Sequence, residues 1–273
     1  MVEENMAKEN KWLCILFSLL FSFCSSNAEL TYRRKLLFFF DKLEVRGAID
    51  VFINKGKRNR EAYVYADSEI IDNIQLQVRD RTLFLDANNT FFLQRRLPFL
   101  KLRAERTFPV EILLSVDQLN NISVHENSNL TCTALFSPNL DLFVTSSGKV
   151  HLENLDCPLL TLRQEGSGTV VLKGKQVRRM QAQVSGNGNL WAQELKLDDA
   201  IITHQGNGRI ELHPSNWLDA RIRGEGNLVL HHKPERMVVE NTGEGTVIDL
   251  LPDAAPYYDL NRSIPKLTKP VSQ

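Results

Sequence analysis

The sequence predicts an all-β fold, a β-helix-like solenoid with rungs of about 20 residues and Gly-x-Gly corners. Three observations predict it. The first is a ladder of turns: Ser146-Ser147-Gly148, Gly166-Ser167-Gly168, Gly186-Asn187-Gly188, Gly206-Asn207-Gly208, Gly224-Glu225-Gly226 and Gly243-Glu244-Gly245, with starts stepping by 20, 20, 20, 18 and 19 residues. The second is a set of aliphatic columns in phase with the ladder. Leu130, Val150, Val170, Leu190, Ile210, Leu228 and Val247 hold one position after each turn, and Cys132, Leu152, Leu172, Ala192, Leu212 and Leu230 stand two further on. Leu142, Leu162, Ala182, Ile202, Ala220 and Val239 precede the turns. The third is the short apolar runs, rich in β-branched and aromatic residues, that fill the rest of the chain.

Residues two apart on a strand share a face, so the columns line the inside of a tube. Charges at intervening positions, such as Lys173 and Glu211, are expected to face water. Two demands explain the glycines. A tight corner often needs a positive φ, which glycine reaches freely, and stacked corners bring backbones close together. The middle residues of the turns share no chemistry, so the ladder is structural. Gly166-Ser167-Gly168 is one member of that column and not a reactive-serine elbow.

The chain divides in order into 1–28, 29–122, 123–251 and 252–273. The first segment reads as a signal peptide. Lys8 and Lys11 precede the apolar run Trp12 to Phe23, and Ser26-Asn27-Ala28 places small residues where a signal peptidase reads. The run is too short for a membrane span, which needs roughly 20 apolar residues. Met6 is a second candidate start, because Glu3-Glu4 interrupts the positive region. Phe23 before Cys24 argues against lipidation.

Glu29 to Lys35 reads as a solvated lead-in to the N-terminal β-rich half. Strand patterns follow at Phe38-Phe39-Phe40, Leu43-Glu44-Val45, Ala48 to Ile53 and Ala62 to Ala66, with a turn cluster at Asn54-Lys55-Gly56-Lys57 and one helical turn near Ile70 to Ile74. Leu76-Gln77-Val78 and Leu83-Phe84-Leu85 form a hairpin around Arg79-Asp80-Arg81-Thr82. Asn88 to Arg106 breaks the regularity as an inserted loop, and its cations Arg95, Arg96, Lys101, Arg103 and Arg106 are weak candidates for contact with a ligand. The β pattern resumes at Phe108 and passes into the repeat. Asp249 ends the aliphatic columns, and the tail is polar and punctuated by Pro252, Pro256, Pro265 and Pro270.

Composition bounds function. Of 273 residues, 42% are hydrophobic and 24% charged, as in folded proteins. With 33 basic and 33 acidic side chains, no net charge draws the chain to nucleic acid. Beyond the leader, Cys132 and Cys157 stand at different positions in the repeat, so they are expected as two separate buried thiols. The six histidines show no metal-ligand spacing. His231 and His232, adjacent on an expected strand, would point to opposite faces, and His204 shares the parity of core residues. The turns lack the aspartate of calcium-binding nonapeptide repeats. Asp198-Asp199, expected in a corner, is the best acidic pair for a β-helix polysaccharide enzyme, but no convergent acidic and basic cluster accompanies it. No catalytic, cofactor or metal residues are therefore assigned.

Phe40 to Val51, the Ile74 to Leu85 hairpin and the serial Gly-Ser/Asn-Gly turns together resemble a known family. It is the putative auto-transporter adhesin, head GIN domain family of exported bacterial β-solenoids. The resemblance runs from about Phe39 to Leu251 and departs at Arg81, where the family usually has glycine, and over Asn88 to Arg106. It implies a right-handed parallel β-helix-like solenoid and carries over no catalytic residues. The expected role is a non-enzymatic exported scaffold, adhesin-like or binding in the cell envelope, with a protein or glycan partner. The alternatives are a periplasmic structural or stress-sensing component and, third, a polysaccharide-processing enzyme.

Overall fold

The computed structural model describes residues 29–88, 109–249 and 257–259. The expected signal peptide, the stretch holding Arg95, Arg96, Lys101, Arg103 and Arg106, and all of the tail but 257–259 lie outside the described residues. In chain order the strands of the N-terminal half are β1 (Leu30–Leu36), β2 (Lys42–Arg46), β3 (Ile49–Lys55), β4 (Glu61–Asp67), β5 (Gln75–Arg79), β6 (Thr82–Asp86) and β7 (Val110–Val116). The repeat supplies β8 (Asn121–Val124), β9 (Asn129–Cys132), β10 (Leu135–Phe136), β11 (Asn139–Val144), β12 (Lys149–Asp156) and β13 (Leu159–Gln164). It continues through β14 (Thr169–Val184), β15 (Leu190–His204), β16 (Ile210–Ile222), β17 (Leu228–Leu230), β18 (Arg236–Asn241), β19 (Val247–Asp249) and β20 (Tyr257–Asp259).

Register turns the sequence period into a tube. Leu130, Val150, Val170, Leu190, Ile210, Leu228 and Val247 are successive partners across parallel strands. All but Val247 are fully buried. Two long stacks result. One runs β1, β4, β7, β3, β9, β12, the first halves of β14, β15 and β16, then β17 and β19. The other runs β5, β6, β2, β8, β11, β13, the second halves of β14 to β16, then β18 and β20. The strands β2 and β3 thus form a rung that continues the solenoid, and antiparallel strands cover its N-terminal end.

The corner glycines serve clearance rather than conformation. Gly47 is the described glycine with a positive φ, at 93°, and no ladder glycine shares that property. A Cβ on Gly168, Gly188 or Gly208 would instead overlap the carbonyl oxygen of the equivalent glycine one rung earlier. The same clash with the preceding corner's backbone arises at Gly148, Gly166, Gly186, Gly206, Gly224, Gly226, Gly243 and Gly245. The expected demand for positive φ is thereby corrected, and the expected close approach is what the corners require.

One inner column alternates apolar and polar. Val144, Gln164, Val184, His204, Ile222 and Asn241 stack in register. The amides of Gln164 and Asn241 donate to the carbonyls of Gly168 and Gly245 at 2.9 and 2.8 Å, and His204 Nε2 donates to Gly208 at 2.8 Å. Every second rung therefore clasps its own corner from inside, satisfying a carbonyl that the tight turn leaves without a strand partner.

Several local expectations are corrected. The segment expected as a solvated lead-in is β1, seven residues paired antiparallel with β4. Phe38 to Phe40 lies between strands. Asp198 and Asp199 lie within β15, where Asp198 accepts from Gln176 at 2.6 Å and Asp199 pairs with Arg179 at 3.4 Å. Glu211 is buried, held by Arg209 and His231 at 2.7 Å each. His231 and His232 follow β17 in a bend instead of sharing a strand. The helical turn at Ile71–Asn73, the β5–β6 hairpin and the inward His204 stand as expected. Cys132 and Cys157 are both buried and free, and burial pushes the Cys132 thiol up to about 12 and raises that of Cys157.

Candidate binding surface

Each strand that sends one set of side chains into the tube sends the alternate set outward, so the two stacks carry two outer faces. They differ in chemistry. On the first, register aligns Tyr63, Leu113, Phe52 and Thr131 across β4, β7, β3 and β9. The row continues through His151, Val171 and Trp191 on β12, β14 and β15. With strands about 4.8 Å apart, these seven positions span roughly 30 Å. Most are half-buried by their neighbours, and Phe52 is 36% exposed. Beyond Trp191 the row closes over: Glu211 and Val229 are buried, and the Arg209 guanidinium sits 6.0 Å from the Trp191 ring.

The second face is polar and internally paired. Its corresponding row holds Glu44, Ser123, Phe143, Arg163, Gln183, Thr203 and Arg221. Here Arg46 meets Glu44 at 2.6 Å, Arg163 meets Glu165 at 2.5 Å, and Arg221 lies between Asp219 and Glu240 at 3.5 and 3.7 Å. The row also includes half-buried Phe84, opposite Glu44, and of its two aromatic rings Phe143 is covered by Arg163 at 5.4 Å. This face satisfies its own charges along the surface. The first face has ion pairs at its flanks, His151 with Glu153 at 3.3 Å and Lys173 with Glu194 at 2.7 Å, but its central row is mostly carbon.

The sequence reading did not single out the apolar row. Its signal was present in the repeat, in the outward position between two core columns. That position reads Thr131, His151, Val171, Trp191, Glu211, Val229 and Ile248, where alternation alone would predict uniformly polar residues. The glycines that were singled out all lie at corners and touch backbone. Among the described residues no group of three or more His, Cys, Asp or Glu side chains is placed to hold a metal. The carboxylates singled out for chemistry, Asp198 and Asp199, are engaged by Gln176 and Arg179.

A parallel solenoid with stacked glycine corners, capped by antiparallel strands and bearing an apolar outer row, belongs to the class of repeat scaffolds. The chain belongs to the family described as "Putative auto-transporter adhesin, head GIN domain", whose sequence profile matches residues 39–234. Solved structures share the fold. A "putative adhesin" from Bacteroides fragilis is 24% identical with a TM-score of 0.73, covering 82% of this chain and 98% of its own. A "putative adhesin" from Parabacteroides merdae is 18% identical with a TM-score of 0.57, covering 83% and 98%. A "putative lipid binding protein" from Parabacteroides distasonis is 17% identical with a TM-score of 0.61, covering 82% and 98%. No curated protein matches the chain. Among the described residues no helix is long and apolar enough to cross a membrane.

Proposed function

We propose that this chain is an exported, non-enzymatic, adhesin-like scaffold that binds a protein or glycan of the cell envelope or of a host surface through its apolar outer row. One observation carries the reading: both faces of the tube hold ion pairs, but only the first carries a central row in which Tyr63, Leu113, Phe52, Val171 and Trp191 align, with His151 paired to Glu153 at its edge. Contiguous apolar surface on a folded domain marks a contact site, and aromatic residues such as Trp191, Phe52 and Tyr63 dominate contact energetics. Family membership supports the adhesin-like role. The lipid-binding description of one neighbour, at 17% identity, extends to this chain as fold alone.

A glycan and protein array tests the proposal. Wild type is expected to give hits that the double variant Phe52→Ser/Trp191→Ser loses, while Arg163→Gln on the polar face keeps them. Hits that survive the double variant, or vanish with Arg163→Gln, would sink this reading. Protease shaving of intact cells tests location, since an adhesin-like role requires cleavage that a periplasmic protein would escape.

A further inference from the structure

We propose that the N-terminal end of the solenoid carries a docking site for an anionic lipid surface, formed by Lys57, Arg58 and Arg60 beneath an apolar tip of Leu36, Phe38 and Phe39. The site is separate from the apolar row and stands on its own observations.

The first is charge. Two adjoining cavities, of about 460 and 520 Å³, share Lys57, Arg58 and Arg60 as lining. All three side chains are exposed and make no ion pair among the described residues. The first cavity also holds Arg81, Asp41 and Asp117. Arg81 and Asp41 neutralise each other at 2.5 Å, with Asn120 adding a hydrogen bond to Asp41 at 3.3 Å. In the second, Glu61 is taken by Arg34 at 2.8 Å. Three cations thus face Asp117 as the carboxylate without an ion pair, and the surplus is positive.

The second is rigidity. The turn bearing the cations is fastened by Asn59, which is 2% exposed. Its amide donates to the carbonyls of Phe40 and Gln118 at 2.7 Å each, and its oxygen accepts from the Asp117 backbone at 2.6 Å. Leu37 donates to the Arg60 carbonyl at 2.7 Å, and Gly56 to that of Val116 at 2.8 Å. The backbone bearing the cations is thus ordered before binding, so only the exposed side chains lose freedom when an anionic surface docks.

The third is carbon where a soluble anion has no use for it. Leu36 is 76% exposed and Phe38 82%; Phe39, 46% exposed, has the Arg81 guanidinium 5.4 Å over its ring, and the next residue, Phe40, is fully buried and anchors the tip. Leu36 lines one cavity and Phe39 the other, with Phe38 between them in the chain. A free phosphate or carboxylate would use the cations and leave these side chains in water. A membrane surface presents phosphate at the level of the cations and hydrocarbon just beneath it, matching both parts at once.

The test is cosedimentation with vesicles of phosphatidylcholine alone and of phosphatidylcholine mixed with phosphatidylglycerol, using wild type, Lys57→Gln/Arg58→Gln/Arg60→Gln and Phe38→Ser. Wild type is expected to partition onto the mixed vesicles and release at high salt. The triple variant is expected to lose on the order of a hundredfold in partitioning, since each cation near an anionic surface contributes about fivefold. Phe38→Ser is expected to lose about tenfold. All four substituted side chains are exposed, so unchanged melting confirms that each variant is folded. Failure of wild type to bind mixed vesicles, or undiminished binding by the triple variant, overturns the proposal. So does tight binding of inorganic phosphate by wild type and Phe38→Ser alike without vesicle binding, which would make this a site for a free anion. None of these outcomes bears on the array result for the apolar row.

Discussion

A Cβ on Gly188 would overlap the carbonyl oxygen of Gly168 and the Nε2 of Gln164. Because φ at this position is not in the left-handed region, the smallest substitution isolates the steric demand. Gly188→Ala is expected to destabilise the protein by about 3 kcal/mol, since only a backbone shift can make room. Thermal melting measures it, and an unchanged midpoint would refute close approach as the reason for the ladder. His204 supplies a second residue-scale test. It is fully buried, and burial lowers its pKa from 6.5, with the Gly208 and Val184 carbonyls opposing. A depressed folded-state pKa means that the unfolded chain binds the proton more readily. The contribution of His204 is therefore present above pH 6.5 and is lost as pH falls toward its lowered folded value. His204→Gln, which copies Gln164 two rungs earlier, is expected to keep the corner clasp and flatten the acid limb of stability. Burial lowers His125 and His213 in the same direction, so part of that limb remains. Denaturant melts at several pH values compare the slopes, and equal slopes for both proteins would exclude His204 as a contributor.

The β5–β6 hairpin shows how an element can oppose its own propensities. Asp80 and Arg81 both adopt positive φ, 49° and 62°, at a turn where the family resemblance leads one to expect glycine. Arg81 gains something there: its guanidinium pairs with Asp41, whose side chain is 9% exposed, and lies 5.4 Å from the Phe39 ring. Asp80→Gly should relieve strain and stabilise the protein by about 0.5 kcal/mol. Arg81→Gly should relieve similar strain yet destabilise it by about 1 kcal/mol, because the Asp41 carboxylate loses its ion pair. The Arg81 side chain is 63% exposed, which keeps that loss small. Opposite signs in paired melts are the expected result, and equal signs would remove the ion pair as the reason for arginine. The hairpin itself was legible in the sequence because turn and flanking strands are local. The strand β1 was not, because LTYRRKL has no inward apolar face and is held by pairing with β4, about 30 residues away. Glu211 was misread for a related reason: parity places it outward, but Arg209 and His231 close over it.

At the scale of the whole molecule, the repeat wrote the tube plainly into the sequence because each rung restates the same inward residues. The outer faces were less legible, since an outward position gains its meaning from the rungs on either side. Val171 is unremarkable alone and becomes part of a surface only when register sets it between His151 and Trp191. The alternation of Gln164, His204 and Asn241 adds a longer period, two rungs, in which a clasped corner follows an apolar one. A deletion of residues 165–204 respects that period. It removes two rungs, joins Gln164 to Gln205, and brings Val150 beneath Ile210, both fully buried. Gln164 would then stack on Ile222 in place of Val184, preserving the alternation. Because solenoid stability sums over neighbouring rungs, the shortened chain should fold and melt in one cooperative transition at a lower midpoint. The same deletion takes Val171 and Trp191 out of the apolar row and sets His151 against Glu211. Folding should therefore survive while array binding is lost, which separates the scaffold from the surface it carries. Circular dichroism melting and the array together decide the matter. A shortened chain that does not fold would contradict the two-rung period, and one that folds and binds like wild type would place the contact surface elsewhere.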